Sequence, residues 1–111
     1  MTFGEKLKEI RRAQGFSQRE LAKIVGVDFS YISKIENDRL PPPAADTILK
    51  ISNALGISSE ILFSESGKLP NNIKRMVSKK PDAIRFFQLA DDMGLTHKEW
   101  QELTQKLKNL R

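Results

Sequence analysis

Apolar residues recur three and four positions apart along most of the chain, and glycines or prolines stand where that rhythm breaks. Such spacing predicts helices throughout. Phe3, Leu7 and Ile10 make one amphipathic helix, opened by a Thr2–Glu5 capping box and ending at Gly15. Ser17 with Glu20 is a second S-x-x-E box, so a helix starts at Arg19 or just before it, with Leu21, Ile24 and Val25 as its apolar side. Ala22 is the small residue that lets neighbouring helices cross closely. Gly26 supplies the left-handed residue that stops this helix, and Val27 tucks back towards the core. Asp28 is a suitable N-cap for a third helix, from Phe29 to about Asn37.

Beyond it, Pro41, Pro42 and Pro43 stiffen a loop into extended backbone. Ile48, Ile51 and Leu55 mark the core side of a helix from Ala44 to Leu55, with Gly56 as its stop. Ser58 caps a short helix from Ser59 to Phe63, and Ser64 to Lys68 reads as a linker. Residues 1–66 are thus expected to form a five-helix bundle, and residues 67–111 a helical C-terminal segment.

In that segment Pro70 opens a helix through Ile73, Met76 and Val77. Pro81 opens the next, with Ala83, Phe86, Phe87, Ala90 and Met93 inward and Gly94 as the stop. A Thr96–Glu99 box starts the last helix, whose Trp100, Leu103, Leu107 and Leu110 are spaced 3, 4, 3. This seam suits either a helix of another chain or packing within the tail. Segments near 40 residues seldom fold alone without staples, so the tail is expected to rest on the first domain or on a second chain.

The helix from Phe29 separates its residues sharply. At about 100° per residue, Ile32 and Ile35 define the inward side, while Ser30, Ser33, Lys34 and Asn37 fall opposite and Phe29 and Tyr31 lie on the flanks. Small polar residues, one cation and an amide form the surface that a helix in the DNA major groove requires, although the same face also fits an ordinary solvated helix. By the same rotation Glu36 turns towards the core, as does Arg11, one turn after Leu7. The two are expected to pair.

The segment SQRELAKIVGVDFSYISKIEN, preceded by KEIRRAQGF and followed by ILKISNALGIS, resembles the helix-turn-helix of the lambda-repressor/Cro (XRE) regulators over roughly Phe3 to Phe63. The resemblance implies an all-α, lambda-repressor-like DNA-binding bundle and an arginine–glutamate pair behind the recognition helix, matching Arg11 and Glu36. It also places the Asn37–Leu40 loop along the DNA backbone, where the three prolines remove amides that would otherwise donate to phosphate. Phe29, Ser30, Ser33 and Lys34 are then the expected base-reading residues, with Lys34 donating to guanine O6 or N7. Phe29 either packs on a thymine methyl or shields the helix start. Gln18, Arg19, Asn37 and Arg39 are the expected phosphate-positioning residues.

Charge qualifies this picture. The net charge is +5, but residues 1–66 carry nine Lys/Arg and nine Asp/Glu, and residues 67–111 carry ten and five. DNA binding must therefore use a few placed cations and helix N-termini rather than a broadly basic surface. The tail's Lys74, Arg75, Lys79 and Lys80 serve extra phosphate contact, an acidic partner or simply a solvated face.

No thiolate metal site or disulfide is available without cysteine. The single histidine, His97, falls in the first turn of the last helix, and no H-E-x-x-H, P-loop or G-x-S-x-G pattern occurs. The chain is read as neither an enzyme nor a cofactor or metal protein. No run approaches the ~20 apolar residues of a membrane span, and residues 1–16 lack a signal-peptide layout, so a cytoplasmic location is expected. The expected function is a sequence-specific transcriptional regulator, a repressor, that binds double-stranded DNA at a pseudo-palindrome as a homodimer. An antirepressor or toxin is a candidate protein partner for the C-terminal segment. The alternative is an antitoxin-like or adaptor protein that uses the bundle and tail to hold a partner.

Overall fold

Every Ser or Thr that stands three residues before a glutamate at a predicted start does begin a helix in the computed structural model, which describes residues 1–111. Thr2 Oγ1 accepts from the Glu5 amide at 3.1 Å and Glu5 returns to the Thr2 amide at 3.1 Å, opening α1 (Phe3–Ala13). The Ser17–Glu20 box opens α2 (Gln18–Val25), and the Thr96–Glu99 box opens α8 (His97–Lys108). Between them lie α3 (Phe29–Glu36), α4 (Ala45–Leu55), α5 (Glu60–Phe63), α6 (Asn71–Ser78) and α7 (Pro81–Met93), with no strand in the element order. No helix is long and apolar enough to cross a membrane.

Contacts divide the chain into two compact units, Met1–Lys74 and Arg75–Arg111. In the first, α2 packs on α3 and α4, α1 on α3 and α5, and α4 on α5. Leu7, Leu21, Ile32, Ile35, Ile48, Ile51 and Leu62 are fully buried at its centre, with Phe3, Ala22, Leu55 and Phe63 around them. The positions expected to point inward on α3 and α4 do so.

Ile24 does not. It is 58% exposed, because burial of Ala22 beside Leu21 rotates the inner face of α2 towards Val25 and away from Ile24. Asp28 occupies the N-cap of α3 but makes no side-chain cap bond, and the Tyr31 amide is met by the Asp28 carbonyl instead at 3.1 Å. The short α5 likewise begins without a side-chain cap, so the Ser58 cap is not formed.

Two long-range features tie the bundle together. Gly4 lies against the end of α3, where a Cβ would collide with the Ile35 carbonyl oxygen. The Ser64–Lys68 stretch folds back: Ser66 Oγ donates to the Phe63 carbonyl at 2.7 Å, and Lys68 Nζ donates to the carbonyls of Pro42 at 3.1 Å and Pro43 at 2.8 Å. The stretch read as a linker thus secures the proline loop.

In the second unit α7 ends at Gly94 (φ 60°). Ala90 is buried, and Ala83, Leu95 and Leu103 are half-buried. Phe86, Phe87 and Met93, expected inward, are exposed, with the two phenyl rings edge-to-face at 5.3 Å. Two short helices can bury only one narrow stripe against each other. Trp100, Leu107 and Leu110 of the seam are exposed as well.

Candidate nucleic-acid interface

The pose of α3 is set by polar groups at its C-terminal end. Arg11 Nε donates to Glu36 Oε2 at 2.6 Å and Nη2 to Oε1 at 2.9 Å, while Nη1 donates to the Phe16 carbonyl at 2.8 Å. Both side chains are nearly or fully buried. The bonds to Glu36 raise the Arg11 guanidinium above its ordinary value, against the opposing effect of burial. Gln18 Nε2 adds a third donor to Glu36, at 3.0 Å from Oε1. One carboxylate therefore joins α1, the start of α2 and the end of α3.

The turn after α3 is equally defined. The Asp38 amide donates to the Ile35 carbonyl at 3.1 Å and the Arg39 amide to the Lys34 carbonyl at 2.8 Å. This is a Schellman ending with Asp38, at φ 58°, where glycine is usual. Thr2 Oγ1 holds the Asp38 carboxylate at 3.1 Å, so α1 and α3 are joined on this side too.

With Ile32 and Ile35 buried, Ser30 and Lys34 are exposed and Ser33 is half-buried on the other side of α3. Lys34, Arg19 and Arg39 take part in none of the three ion pairs of the chain, which are Lys6–Glu9, Arg11–Glu36 and Arg85–Asp82. Asn37 turns its amide back along the helix, donating to the Ser33 carbonyl at 2.9 Å. Gln18 is half-buried with its amide spent on Glu36. Of the expected positioning residues, only Arg19 and Arg39 carry an unneutralised charge, and Pro41, Pro42 and Pro43 bring no backbone amide to the loop after Arg39.

A polar groove runs past the start of α2, lined by Lys8, Arg12, Ser17, Gln18, Arg19, Phe29 and Asn37 above Arg11. No carboxylate lines it, so the locally cationic surface arises inside a segment whose charges sum to zero. Lys8 and Arg12 were not singled out from the sequence. Their i, i+4 spacing on α1, flanking Arg11, was the available signal. Nor did the sequence indicate that Arg19 covers Phe29, with the guanidinium carbon 4.5 Å from the ring centre.

Residues 7–62, half of the chain, match the helix-turn-helix family HTH_3. The chain belongs to the lambda-repressor-like helix-turn-helix family of transcriptional regulators. The transcriptional repressor RghR of Bacillus subtilis (strain 168) is 30% identical over 113 residues, covering 95% of this chain and 82% of RghR. The transcriptional regulator PuuR of Escherichia coli (strain K12) is 37% identical over 94 residues, covering 85% of this chain but 49% of PuuR, so the chain spans about half the length of that relative. These relatives are regulators, not enzymes.

Among solved structures, the master regulator for biofilm formation SinR in complex with DNA superimposes with a TM-score of 0.53 at 34% identity, covering 56% of this chain and 98% of that one. The SinR–SinI protein complex matches with a TM-score of 0.56 at 27% identity, over 96% of this chain and 95% of that one. The matched residues take in α2, Gly26 and α3.

Proposed function

We propose that this helix-turn-helix protein represses transcription by binding a pseudo-palindromic operator as a homodimer, with α3 in the major groove. The observation that carries the reading is the outward set of small or unneutralised side chains on α3, held against a bundle anchored by Ile32, Ile35 and the Arg11–Glu36 pair. Phe29, Ser30, Ser33 and Lys34 read base edges, Lys34 as a donor to guanine. Gln18, Arg19, Asn37 and Arg39 line the path of the phosphates, with the start of α2 adding its dipole. Repression is supported by the name of RghR, and DNA as ligand by the complex of SinR.

One α3 reads only a few base pairs. Two copies place their recognition helices about one turn, ~34 Å, apart on an imperfect palindrome. A gel-shift titration over salt tests this. The expected result is binding to one selected palindrome far tighter than to random duplex, with a steep salt slope. Equal affinity for every duplex would remove the regulator reading.

A second reading has its own support. The tail exposes Phe86, Phe87, Trp100, Leu107 and Leu110, and SinR is solved with the protein SinI. A protein partner, of the antirepressor or toxin kind, fits the tail, and a regulator that also holds such a partner satisfies both readings.

A further inference from the structure

Phe29 begins α3 and is still 39% exposed although the Arg19 guanidinium lies over its ring. Arg19 is the second residue of α2 and donates to no carboxylate. A guanidinium stacked on a phenyl ring uses its face, and its N–H donors lie in the plane and point away from the ring. The stack therefore restricts the side chain without consuming a donor. Since the first residues of a recognition helix are those nearest the base edges, the ring draws Arg19 away from the phosphate path towards the bases. Lys8 and Arg12, which line the same groove from α1, remain to neutralise phosphate.

We propose that Arg19 and Phe29 act as one specificity element that reads a thymine next to a guanine: the ring takes the thymine methyl and the guanidinium donates to guanine O6 and N7. This rests on the DNA-binding reading above and moves Arg19 from the phosphate set to the base-reading set. The chemistry fits both partners, because thymine alone among the four bases presents a methyl in the major groove and guanine alone presents two acceptors side by side. Holding the guanidinium in place before contact removes part of the ordering cost of a long side chain. The element predicts a thymine–guanine step in each half-site.

The test uses the full chain on its selected operator with single-group changes in the DNA. Thymine is replaced by uracil, which removes only the methyl, and guanine by 7-deazaguanine, which removes N7. The wild-type protein is expected to lose about 5- to 100-fold in affinity for the 7-deazaguanine duplex, the range of a good two-pronged base contact, and a smaller factor for uracil. Arg19→Ala should bind both guanine forms alike, and Arg19→Lys should not restore the preference. Phe29→Leu keeps an apolar residue but no π face, and should weaken the guanine preference although Arg19 is intact. The proposal is overturned if Arg19→Ala lowers affinity by the same factor on every duplex, flattens the salt slope by about one ion, and leaves the 7-deazaguanine penalty in place. If instead the wild-type chain prefers no duplex at all, the DNA-binding reading itself fails, an outcome separate from the first.

Discussion

Arg11 and Glu36, 25 positions apart, meet as a two-pronged pair at 2.6 and 2.9 Å beneath the end of α3. Breaking such a pair from one side leaves a buried charge with no partner, which costs about 3–5 kcal/mol. Arg11→Met and Glu36→Leu are each expected to lose stability of that order in urea titrations, and the double replacement to recover a substantial part. Because Glu36 also receives Gln18, a double variant that regains stability should still bind operator less tightly, α3 having lost its polar anchor. A fully restored affinity would show that hydrophobic contact alone orients α3.

At Gly4, α1 passes close against the end of α3: an added Cβ would meet the backbone carbonyl oxygens of Ile35 and Glu36, which cannot move aside independently, as well as the Asp38 carboxylate. Gly4→Ala is therefore expected to destabilise by about 1–3 kcal/mol, the usual cost of overpacking, although alanine is the better helix former. A thermal melt decides it. A stabilised Gly4→Ala variant would mean that α1 can shift outward without loss.

Stability at low pH should depend on two capping boxes. Glu5 and Glu99 are both held below the ordinary glutamate range, chiefly by the backbone amides of Thr2 and Thr96 that donate to them. Lowered folded-state values mean stability that is present above the unfolded value, near pH 4.3, and is lost as pH falls through the folded value. Glu5→Gln and Glu99→Gln should each lower the melting temperature at pH 6, where that stability is present, and converge on the wild-type value towards pH 2, so that the profile measured from pH 6 to pH 2 is flatter.

What the sequence discloses is mostly local. A threonine or serine three residues before a glutamate, a glycine after an apolar run, and isoleucines three apart all act within one or two turns. The three boxes, the stop at Gly26 and the inward turn of Ile32 and Ile35 were accordingly legible. The burial of Arg11 against Glu36 was legible because both residues sit at core positions of otherwise polar patches. Contacts made across the fold were not. Nothing near Gly4 announces the carbonyls it meets, and nothing near Lys68 announces its bonds to Pro42 and Pro43. Gln18 reads from the sequence as a phosphate-positioning residue, yet its donor goes to a glutamate 18 residues on. In the tail, helical spacing predicted which residues share a stripe, but periodicity alone does not say whether anything covers it.

Lys34 allows the plainest test of base reading. It is exposed, unpaired and placed on the opposite side of α3 from the buried Ile32 and Ile35. Lys34→Ala is expected to cost about 1–3 kcal/mol on the selected operator if the contact to guanine is two-pronged, and to relax preference at one position of each half-site. The measurement is a binding-site selection run in parallel for both proteins. An unchanged base preference at every position, with only a uniform fall in affinity, would demote Lys34 to a phosphate contact.

The exposed apolar stripe of the second unit can be tested as a self-association surface through operator binding. Leu107 is 67% exposed in the same apolar set as Phe87 and Trp100, and a unit of this size gains little from its own core. Leu107→Glu should leave the fold of a chain that never buried this residue nearly unchanged by circular dichroism. If the stripe joins two copies, sedimentation should show a shift towards monomer at micromolar concentration. Affinity for the full palindrome should then fall while affinity for an isolated half-site stays the same, since linkage of two sites raises only the joint binding. A dimer that survives Leu107→Glu would move the self-association surface to the first unit and leave the stripe free for a different protein.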